Sequence, residues 1–340
     1  MQAAIRKLAK TILGIFLAYI AILVVVIIWL YRFQNQAAPT YIPLQEFTTV
    51  IEEAVYKTQN EQIKLGYQLL INTSLTIGPH VADTTMRYSG NSLECISCHL
   101  NEGTKAFGIP LNTVLGRFPQ YRGREDTIGT IEDRINGCLS RSMNGRPMET
   151  NQREMQAFVA YLSWLERYKP EGVSVASPLE NGLKEIELPN RQADLTAGAL
   201  VYEQQCVVCH QKDGQGTFDN LNGLYFYPPL WGAQAYNNGA GMSRLITAAQ
   251  FIKYNMPFGV SHENPILTDE EAYDVAAYVN QKNRPIKSDL AADFPNRLKK
   301  PLSSPYPPFL DSFPLEQHQL GPFQPMIEHY LKEYRVIKTK

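Results

Sequence analysis

The 340-residue chain lacks an excess of charge of either sign. It has 32 lysines and arginines against 33 aspartates and glutamates, which gives a net charge of −1. The positive residues also form no basic stripe, which is the electrostatic footprint of a nucleic-acid-binding face. We therefore expect no nucleic-acid partner.

Charged side chains are missing altogether from residues 11–31, TILGIFLAYIAILVVVIIWLY. This run matches the roughly twenty apolar residues that an α-helix needs to cross a bilayer. Three positive residues precede it and only Arg32 follows closely, so the positive-inside rule keeps the N-terminus in the cytoplasm. A cleaved signal peptide is the alternative, but its apolar region is shorter and it ends at a small-x-small site, which RFQNQAAPT does not offer. We expect an uncleaved inner-membrane anchor with the body in the periplasm.

Cysteine is scarce, with five in the chain, and four of the five lie in two C-x-x-C-H motifs. The motifs comprise Cys95, Cys98 and His99 in the first half, and Cys206, Cys209 and His210 in the second. C-x-x-C-H attaches c-type haem through both thiols, and its histidine ligates the iron. Zinc would require further ligands nearby and a redox dithiol would require a βαβ setting. A disulfide loop is the remaining alternative. The sequence predicts two covalently bound haem c groups.

Each half of the body repeats one order: a helix, the haem motif, a long loop and a second helix. The helical patterns are QIKLGYQLLINTS and NQREMQAFVAYLSWLERY in the first half, and DLTAGALVYEQQ and DEEAYDVAAYVNQ in the second. This order resembles the cytochrome c fold. It predicts an all-α protein in which two cytochrome c-like domains follow a single N-terminal transmembrane helix.

Composition places the boundaries between these parts. The predicted parts are a cytoplasmic N-terminus (1–10), the anchor (11–31), a first domain with the active-site haem (32–176), a linker (177–194), a second domain with the electron-transfer haem (195–285) and a proline-rich extension (286–340). Because proline disfavours the helix interior, we expect the extension to lack regular helix and to lie along the domain surfaces.

The second haem needs a sixth ligand from the loop beyond its motif. Met256 stands in an N-M-P tripeptide forty-six residues after His210, a position typical of the methionine ligand of cytochromes c. Met242 is the weaker competitor, and His262 as the ligand would leave the tripeptide unexplained. We therefore predict Met256 as the ligand.

Cys138 is the odd thiol and stands at the equivalent place in the first half, thirty-nine residues after His99. An unpaired thiol in an oxidising compartment requires an explanation, and the neighbouring arginines favour the thiolate that binds metal. A helix here would put Arg134 on the same face, although an Asn-Gly pair argues against a helix. On spacing alone, Met143 and Met148 remain alternatives to Cys138.

The residues around this thiol resemble the dihaem thiosulfate dehydrogenase/tetrathionate reductase family. The resemblance rests on Arg124, on R-I-N-G-C with Arg134 and Cys138, on Ser142 in R-S-M-N-G, and on Arg146. It extends over nearly the whole periplasmic body and includes the N-M-P loop and the YPPFLDSF…EQHQLGPFQP tail. It implies that Cys138 is the distal ligand of the first iron and that the three arginines and the serine line the substrate pocket.

Two features depart from the family pattern, and a third position keeps its charge with a different residue from many members. The chain has an N-terminal anchor, whereas some members are soluble. Asn255 stands where some relatives have a lysine that exchanges onto the second iron, and Arg146 stands where lysine is also common. The first substitution puts ligand switching in doubt, and the second keeps the positive charge.

The resemblance implies an enzyme that interconverts two thiosulfates and tetrathionate. Two electrons would pass through both haems to or from a periplasmic or membrane partner, such as a cytochrome or a quinol-linked complex, in a direction that the sequence leaves open. Thiolate ligation would give the first haem the lower potential and Met256 would give the second the higher one. The resemblance also implies that Cys138 can bond transiently to the sulfane sulfur of the substrate. The alternatives are a membrane-anchored dihaem electron carrier without substrate chemistry, and a sulfur-oxidation cytochrome whose substrate arrives on a partner protein.

Overall fold

A computed structural model describes residues 2–34, 49–169 and 182–338 of the chain. The α-helices are α1 (Gln2–Gln34), α2 (Val50–Lys57), α3 (Glu61–Ile71), α4 (Thr73–Thr76), α5 (Leu100–Gly103), α6 (Ile131–Arg141), α7 (Arg153–Leu165), α8 (Leu195–Gln205), α9 (Val207–His210), α10 (Leu245–Asn255), α11 (Asp269–Asn280), α12 (Leu315–Leu320) and α13 (Gln324–Tyr334). The strands are β1 (Gln120–Arg122), β2 (Thr127–Gly129), β3 (Thr217–Asp219) and β4 (Leu224–Tyr227). The helical repeat predicted in each half is confirmed, with α3 and α7 flanking the first haem motif and α8 and α11 flanking the second.

Two small hairpins correct the all-α prediction. β1 pairs with β2 and β3 pairs with β4, both antiparallel, in the long loop that follows each haem motif. Each strand has only three or four residues, so it is too short to show the alternation of apolar and polar residues that marks a strand in sequence. The fold is therefore mostly helical rather than purely helical.

The unit Met1–Thr48 contains α1. Its segment Lys10–Ile28 is the one stretch of the described residues that is long and apolar enough to cross a membrane. A signal sequence near an N-terminus has the same length and composition. The predicted apolar helix is thus present, and both an anchor and a signal sequence are consistent with it.

In the unit Thr49–Lys340, each half contains the same kind of close helix crossing, with a glycine at the point of contact. A Cβ atom on Gly66 of α3 would lie 2.1 Å from the carbonyl oxygen of Ala157 in α7. A Cβ atom on Gly198 of α8 would lie 2.2 Å from the carbonyl oxygen of Asp274 in α11. Only glycine allows backbones to approach so closely. The repeat seen in sequence is therefore a repeat of tertiary packing.

Helix α6 positions the segment that the sequence analysis singled out. Thr130 caps it: its hydroxyl accepts from the Asp133 N–H (3.3 Å), and the Asp133 carboxylate accepts from the Thr130 N–H (2.8 Å). Such a capping box stabilises a helix by about 1 kcal/mol. Acidic residues in the first turn also stabilise the helix, because they interact favourably with the positive end of its dipole. The helix continues through the Asn-Gly pair and confirms that Arg134 and Cys138 share a face.

The prediction that the C-terminal extension lacks regular helix is wrong, because α12 and α13 lie within it. Pro314 precedes α12 and Pro325 lies in the first turn of α13, where a missing N–H costs no helical hydrogen bond. Phe323, Met326 and Tyr330 are fully buried in the core of the second half. The extension is thus part of that core. The other predicted boundaries remain predictions, and the predicted linker 177–194 lies partly outside the described residues.

Candidate haem and anion site

The two C-x-x-C-H motifs present equivalent histidines. His99 Nδ1 lies 2.7 Å from the Ile109 carbonyl oxygen, and His210 Nδ1 lies 2.8 Å from the Pro228 carbonyl oxygen. A carbonyl can only accept, so each Nδ1 carries the proton and each Nε2 is left as the metal-binding atom. The cysteines of both motifs are free thiols. This donor set fits c-type haem in both halves.

Cys138 differs from the motif cysteines in its electrostatic surroundings. Burial raises the pKa of all four motif thiols, to about 12 at Cys95. Burial acts in the same direction on Cys138, but the charge of Arg134 and a hydrogen bond with His99 outweigh it and lower the pKa of Cys138 to about 6. A thiol in this setting is a thiolate at neutral pH, the form that binds metal and attacks sulfur.

The surroundings of Cys138 differ from those of the two rival methionines. Cys138 lies on α6, where its thiol is hydrogen-bonded with His99. Met143 and Met148 are buried at 4% and 2% exposure in an apolar cluster that includes Leu139. They contribute to the core of the first half.

Arg134 approaches the thiol directly. Its Nη1 lies 3.2 Å from the Cys138 sulfur, one helical turn away, and its side chain is exposed. The exposed guanidinium keeps further N–H groups free to bind an anion beside the sulfur. Ser142 follows at the end of α6, where its carbonyl oxygen accepts from Asn91 Nδ2 at 3.0 Å. Its hydroxyl makes no hydrogen bond within the described residues.

Arg124 has an acidic partner that sequence reasoning missed. Its Nη1 donates to Asp293 Oδ2 at 2.9 Å, and Arg141 Nη2 donates to Asp293 Oδ1 at 2.6 Å. Burial opposes ionisation of this carboxyl, but Arg141, the Tyr306 hydroxyl and Arg124 hold the pKa of Asp293 below its ordinary value. The three charged groups tie the first half to the chain after α11.

Arg146 is not brought to Cys138 by any contact among the described residues. Its guanidinium lies over the Tyr88 ring, 4.1 Å from the centroid, and donates to the carbonyl oxygens of Arg87 and Thr85 at 3.2 and 2.5 Å. These bonds use the donors that the sequence analysis assigned to substrate. No carboxylate of the described residues neutralises its charge.

Two further arginines, one near the thiol and one near Arg124, have no motif that would reveal them. Arg122 is in an ion pair with Glu125 at 2.9 Å, and its charge contributes to the low pKa of Cys138. Arg244 precedes α10 and lies close enough to Arg124 for their charges to interact. More than a hundred residues separate Arg244 from the thiol, so no local spacing could have identified it.

Met256 begins the loop that follows α10 in the second half. Its N–H donates to the Ile252 carbonyl oxygen at 2.9 Å, and this is the last hydrogen bond of the helix. The preceding Asn255 is buried, and its Nδ2 donates to the Phe107 carbonyl oxygen at 3.0 Å, which joins this loop to the first half. Met242 packs against the apolar cluster of the first half instead.

His262, the other candidate ligand, lies against the Phe107 ring, with 4.6 Å between the ring centroids. Its carbonyl oxygen accepts from Lys184 Nζ at 3.1 Å. The ring therefore packs where the methionine loop meets the first half.

Known proteins match both halves of the chain. Residues 84–169 match the family described as SoxA/TsdA, cytochrome c domain, and residues 195–283 match the family described as cytochrome c. The thiosulfate dehydrogenase of Psychrobacter arcticus is 38% identical over 226 residues, which cover 66% of this chain and 67% of that protein. The thiosulfate dehydrogenase of Allochromatium vinosum is 40% identical over 210 residues, which cover 61% of this chain and 75% of that protein.

A solved structure is similar as well. The thiosulfate dehydrogenase (TsdBA) from Marichromatium purpuratum, in its "as isolated" form, matches with a TM-score of 0.59 at 35% identity. The match covers 67% of this chain and 47% of that chain, so the present chain spans about half of its length.

Proposed function

This chain belongs to the thiosulfate dehydrogenase family of c-type cytochromes, and on that premise we propose that it interconverts thiosulfate and tetrathionate. In the oxidative direction, two thiosulfate dianions lose two electrons and form one sulfur–sulfur bond, which gives one tetrathionate dianion. No proton is consumed or released. The two electrons leave through c-type haem to a redox partner. The reverse reaction takes two electrons from that partner and breaks the same bond.

The observation that carries this proposal is the Cys138 thiol between His99 and Arg134. The arginine charge and the hydrogen bond with His99 keep the sulfur anionic although it is partly buried. A sulfur anion beside an exposed guanidinium is suited to bind a sulfur oxyanion. It can also attack a central sulfur of tetrathionate as a nucleophile, which forms a bond from Cys138 to that sulfur, breaks the central sulfur–sulfur bond and releases one thiosulfate. An electron carrier without substrate chemistry would have no use for this pair.

Electrostatic repulsion explains why the site is rich in arginine. Two dianions about 5 Å apart repel each other by roughly 13 kcal/mol at an effective dielectric constant of roughly 20, and by roughly 3 kcal/mol in bulk water. Guanidinium groups stay charged and present forked donors to oxyanions. We assign Arg134 and the Ser142 hydroxyl to direct contact with substrate. Arg124 and Arg146 contribute positive charge, although their guanidinium groups already donate to Asp293 and to backbone carbonyls.

The cofactors of the proposed enzyme are two covalently bound haem c groups. Cys95 and Cys98 would hold the first, and Cys206 and Cys209 the second. The iron ligands would be His99 and Cys138 in the first half, and His210 and Met256 in the second. When bound, each group supplies a one-electron redox centre. The Nδ1 hydrogen bonds of both histidines support this assignment, because they orient Nε2.

We further propose that α1 anchors the enzyme in the inner membrane with the catalytic body in the periplasm. The length of the apolar segment Lys10–Ile28 and the positive residues before it support an anchor. The partner would then be a periplasmic cytochrome or a quinol-linked membrane complex. Membrane extraction followed by N-terminal sequencing of the mature protein distinguishes an anchor from a cleaved signal.

Purified full-length protein tests the activity directly. We expect thiosulfate to reduce ferricyanide, and tetrathionate to oxidise a reduced viologen, in the presence of the enzyme. Cys138→Gly should keep its haem content, because the four motif cysteines remain, and should lose most of the turnover. Absence of turnover in both directions would leave a membrane-tethered electron carrier as the function.

A further inference from the structure

Arg244 is a partly buried arginine without an acidic partner among the described residues. Its Nε donates to the Gly241 carbonyl oxygen at 3.2 Å, and its side chain does not cap α10. Burial, together with the charges of Arg124 and Arg134, lowers the pKa of Arg244 to about 10. Burying an unpaired charge is unfavourable, so a guanidinium in this setting is best explained by an anion that binds to it.

The loop that carries Arg244 is fixed against the helix that carries Cys138. Asn237 Nδ2 donates to the Ser140 carbonyl oxygen at 3.0 Å, and the Asn237 N–H donates to the Arg141 carbonyl oxygen at 3.2 Å. Two residues further on, the Gly239 carbonyl oxygen accepts from Arg124 Nη1 at 2.8 Å. The second half of the chain therefore holds this guanidinium near those of Arg124 and Arg134.

The charges around this place are not balanced by the protein. Arg124 and Arg141 share the single carboxylate of Asp293, and Arg244 has none. The charge of Arg134 also interacts with Arg244 and with Arg117, and the Lys300 amine lies near Asp293 as well. Among the described residues, cations therefore outnumber carboxylates around Asp293, and such an excess of positive charge favours the binding of a sulfur oxyanion.

We propose that Arg244 is a substrate-binding residue that holds the second sulfur oxyanion, next to the one bound by Arg134 and Cys138. This inference rests on the proposed function, which requires two thiosulfates to meet. In the reverse direction, Arg244 would bind the sulfonate at the far end of tetrathionate. The second half of the chain then contributes to substrate binding as well as to electron transfer.

Kinetics and binding of full-length variants test this role. We expect Arg244→Gln to raise the KM for thiosulfate and for tetrathionate about tenfold, the usual effect of losing one charge-assisted hydrogen bond. We expect kcat to change less, and Arg244→Lys to recover most of the affinity because it keeps the charge. Lys332→Gln is the matched control, since Lys332 is an exposed cation on α13 with 83% of its side chain accessible.

Calorimetry of thiosulfate binding and a redox titration distinguish the possible failures. The proposal is overturned by an unchanged KM in Arg244→Gln. If the haem potential is shifted in that variant while KM is unchanged, Arg244 is a haem-propionate partner instead. If the wild type binds thiosulfate without turnover, the proposed function fails, and weaker binding by Arg244→Gln still supports the anion site. If the wild type neither binds nor turns over thiosulfate, both proposals are rejected.

Discussion

The guanidinium of Arg134 donates to the sulfur of Cys138 at 3.2 Å across one turn of α6. The helix imposes this contact, since residues four apart lie on the same face. The pair therefore depends on local structure, whereas the contact of Cys138 with His99 depends on how α6 packs against the haem motif. Arg134 lowers the pKa of Cys138 mainly through its charge, and His99 does so through a hydrogen bond. Removing one or the other should therefore change the pKa of this thiol for a different reason.

Arg134→Gln should lower kcat/KM for thiosulfate by about 10- to 100-fold, because it removes a charged hydrogen bond worth roughly 1.5–3 kcal/mol. Arg134→Lys should retain part of the activity through its charge. Steady-state kinetics in both directions provide the measurement. Arg153→Gln is the control, because Arg153 is an exposed arginine at the start of α7. Equal values of kcat/KM for Arg134→Gln and the control would show that Arg134 does not bind the substrate.

Met256→Leu should lower the potential of the second haem, on the order of 100 mV, because thioether ligation raises haem potentials. Thiosulfate binding should stay intact, since Met256 follows α10 and has no contact with Cys138 among the described residues. A spectroelectrochemical titration measures the shift. Met242→Leu is the control: this methionine packs in the apolar cluster of the first half, so it should cost less than about 1.5 kcal/mol and leave the potential unchanged. If the potential of the second haem is unchanged in Met256→Leu, Met256 is not the ligand of that haem.

Local patterns in the sequence predicted what depends on neighbouring residues. The helices around both haem motifs follow from apolar periodicity, and the Arg134–Cys138 pair follows from i, i+4 spacing. The Asn-Gly pair misled in one respect: the capping box at Thr130 and the packing of α6 outweigh its weak helix propensity. The helices of the extension were missed because prolines were read as helix breakers, whereas they lie at helix starts.

The parts of the site that escaped prediction are long-range contacts. Asp293 is 169 residues from Arg124 in the chain, and no periodicity connects them. The same holds for Arg244, which lies near Arg124 because Asn237 and Gly239 bind elements of the first half. Sequence motifs predicted the residues to which we assign the chemistry. The long-range partners of the arginines became visible only through the tertiary fold.

Gly66→Ala should destabilise the protein, although alanine is the better helix former. The added Cβ would lie 2.1 Å from the Ala157 carbonyl oxygen and 2.6 Å from Tyr161 Cβ, so α3 and α7 must separate. Overpacking of this kind costs about 1–3 kcal/mol, and a thermal melt should show a lower Tm. Gly182→Ala provides the control, since no atom lies within 4 Å of its added Cβ. Equal melting temperatures for the two variants would contradict the close crossing.

Asp311 connects α12 and α13 of the extension through buried hydrogen bonds. Its Oδ1 lies 3.1 Å from His318 Nε2, and its other oxygen accepts from the Tyr330 hydroxyl. The side chains of Asp311 and His318 are 0% and 2% exposed. Burial alone would raise the pKa of Asp311, but these hydrogen bonds lower it to about 2. The folded state is therefore stabilised by the ionised carboxylate at every pH above the ordinary value of 3.8.

Asp311→Asn should therefore lower the free energy of unfolding by roughly 3 kcal/mol at pH 7, because the carboxylate is ionised there and two buried partners bind to it. Because the folded pKa is depressed, the advantage of the wild type should shrink as the pH falls from about 4 to about 2. In this range the carboxyl is protonated first in the unfolded chain, near 3.8, and only near 2 in the folded protein. Denaturant titrations of wild type and variant at pH 7 and pH 3 measure this difference. Asp289→Asn is the control, because Asp289 is exposed and in the left-handed conformation that asparagine tolerates. A gap between wild type and Asp311→Asn that does not narrow at pH 3 would show that packing, rather than the charge of Asp311, holds the extension in place.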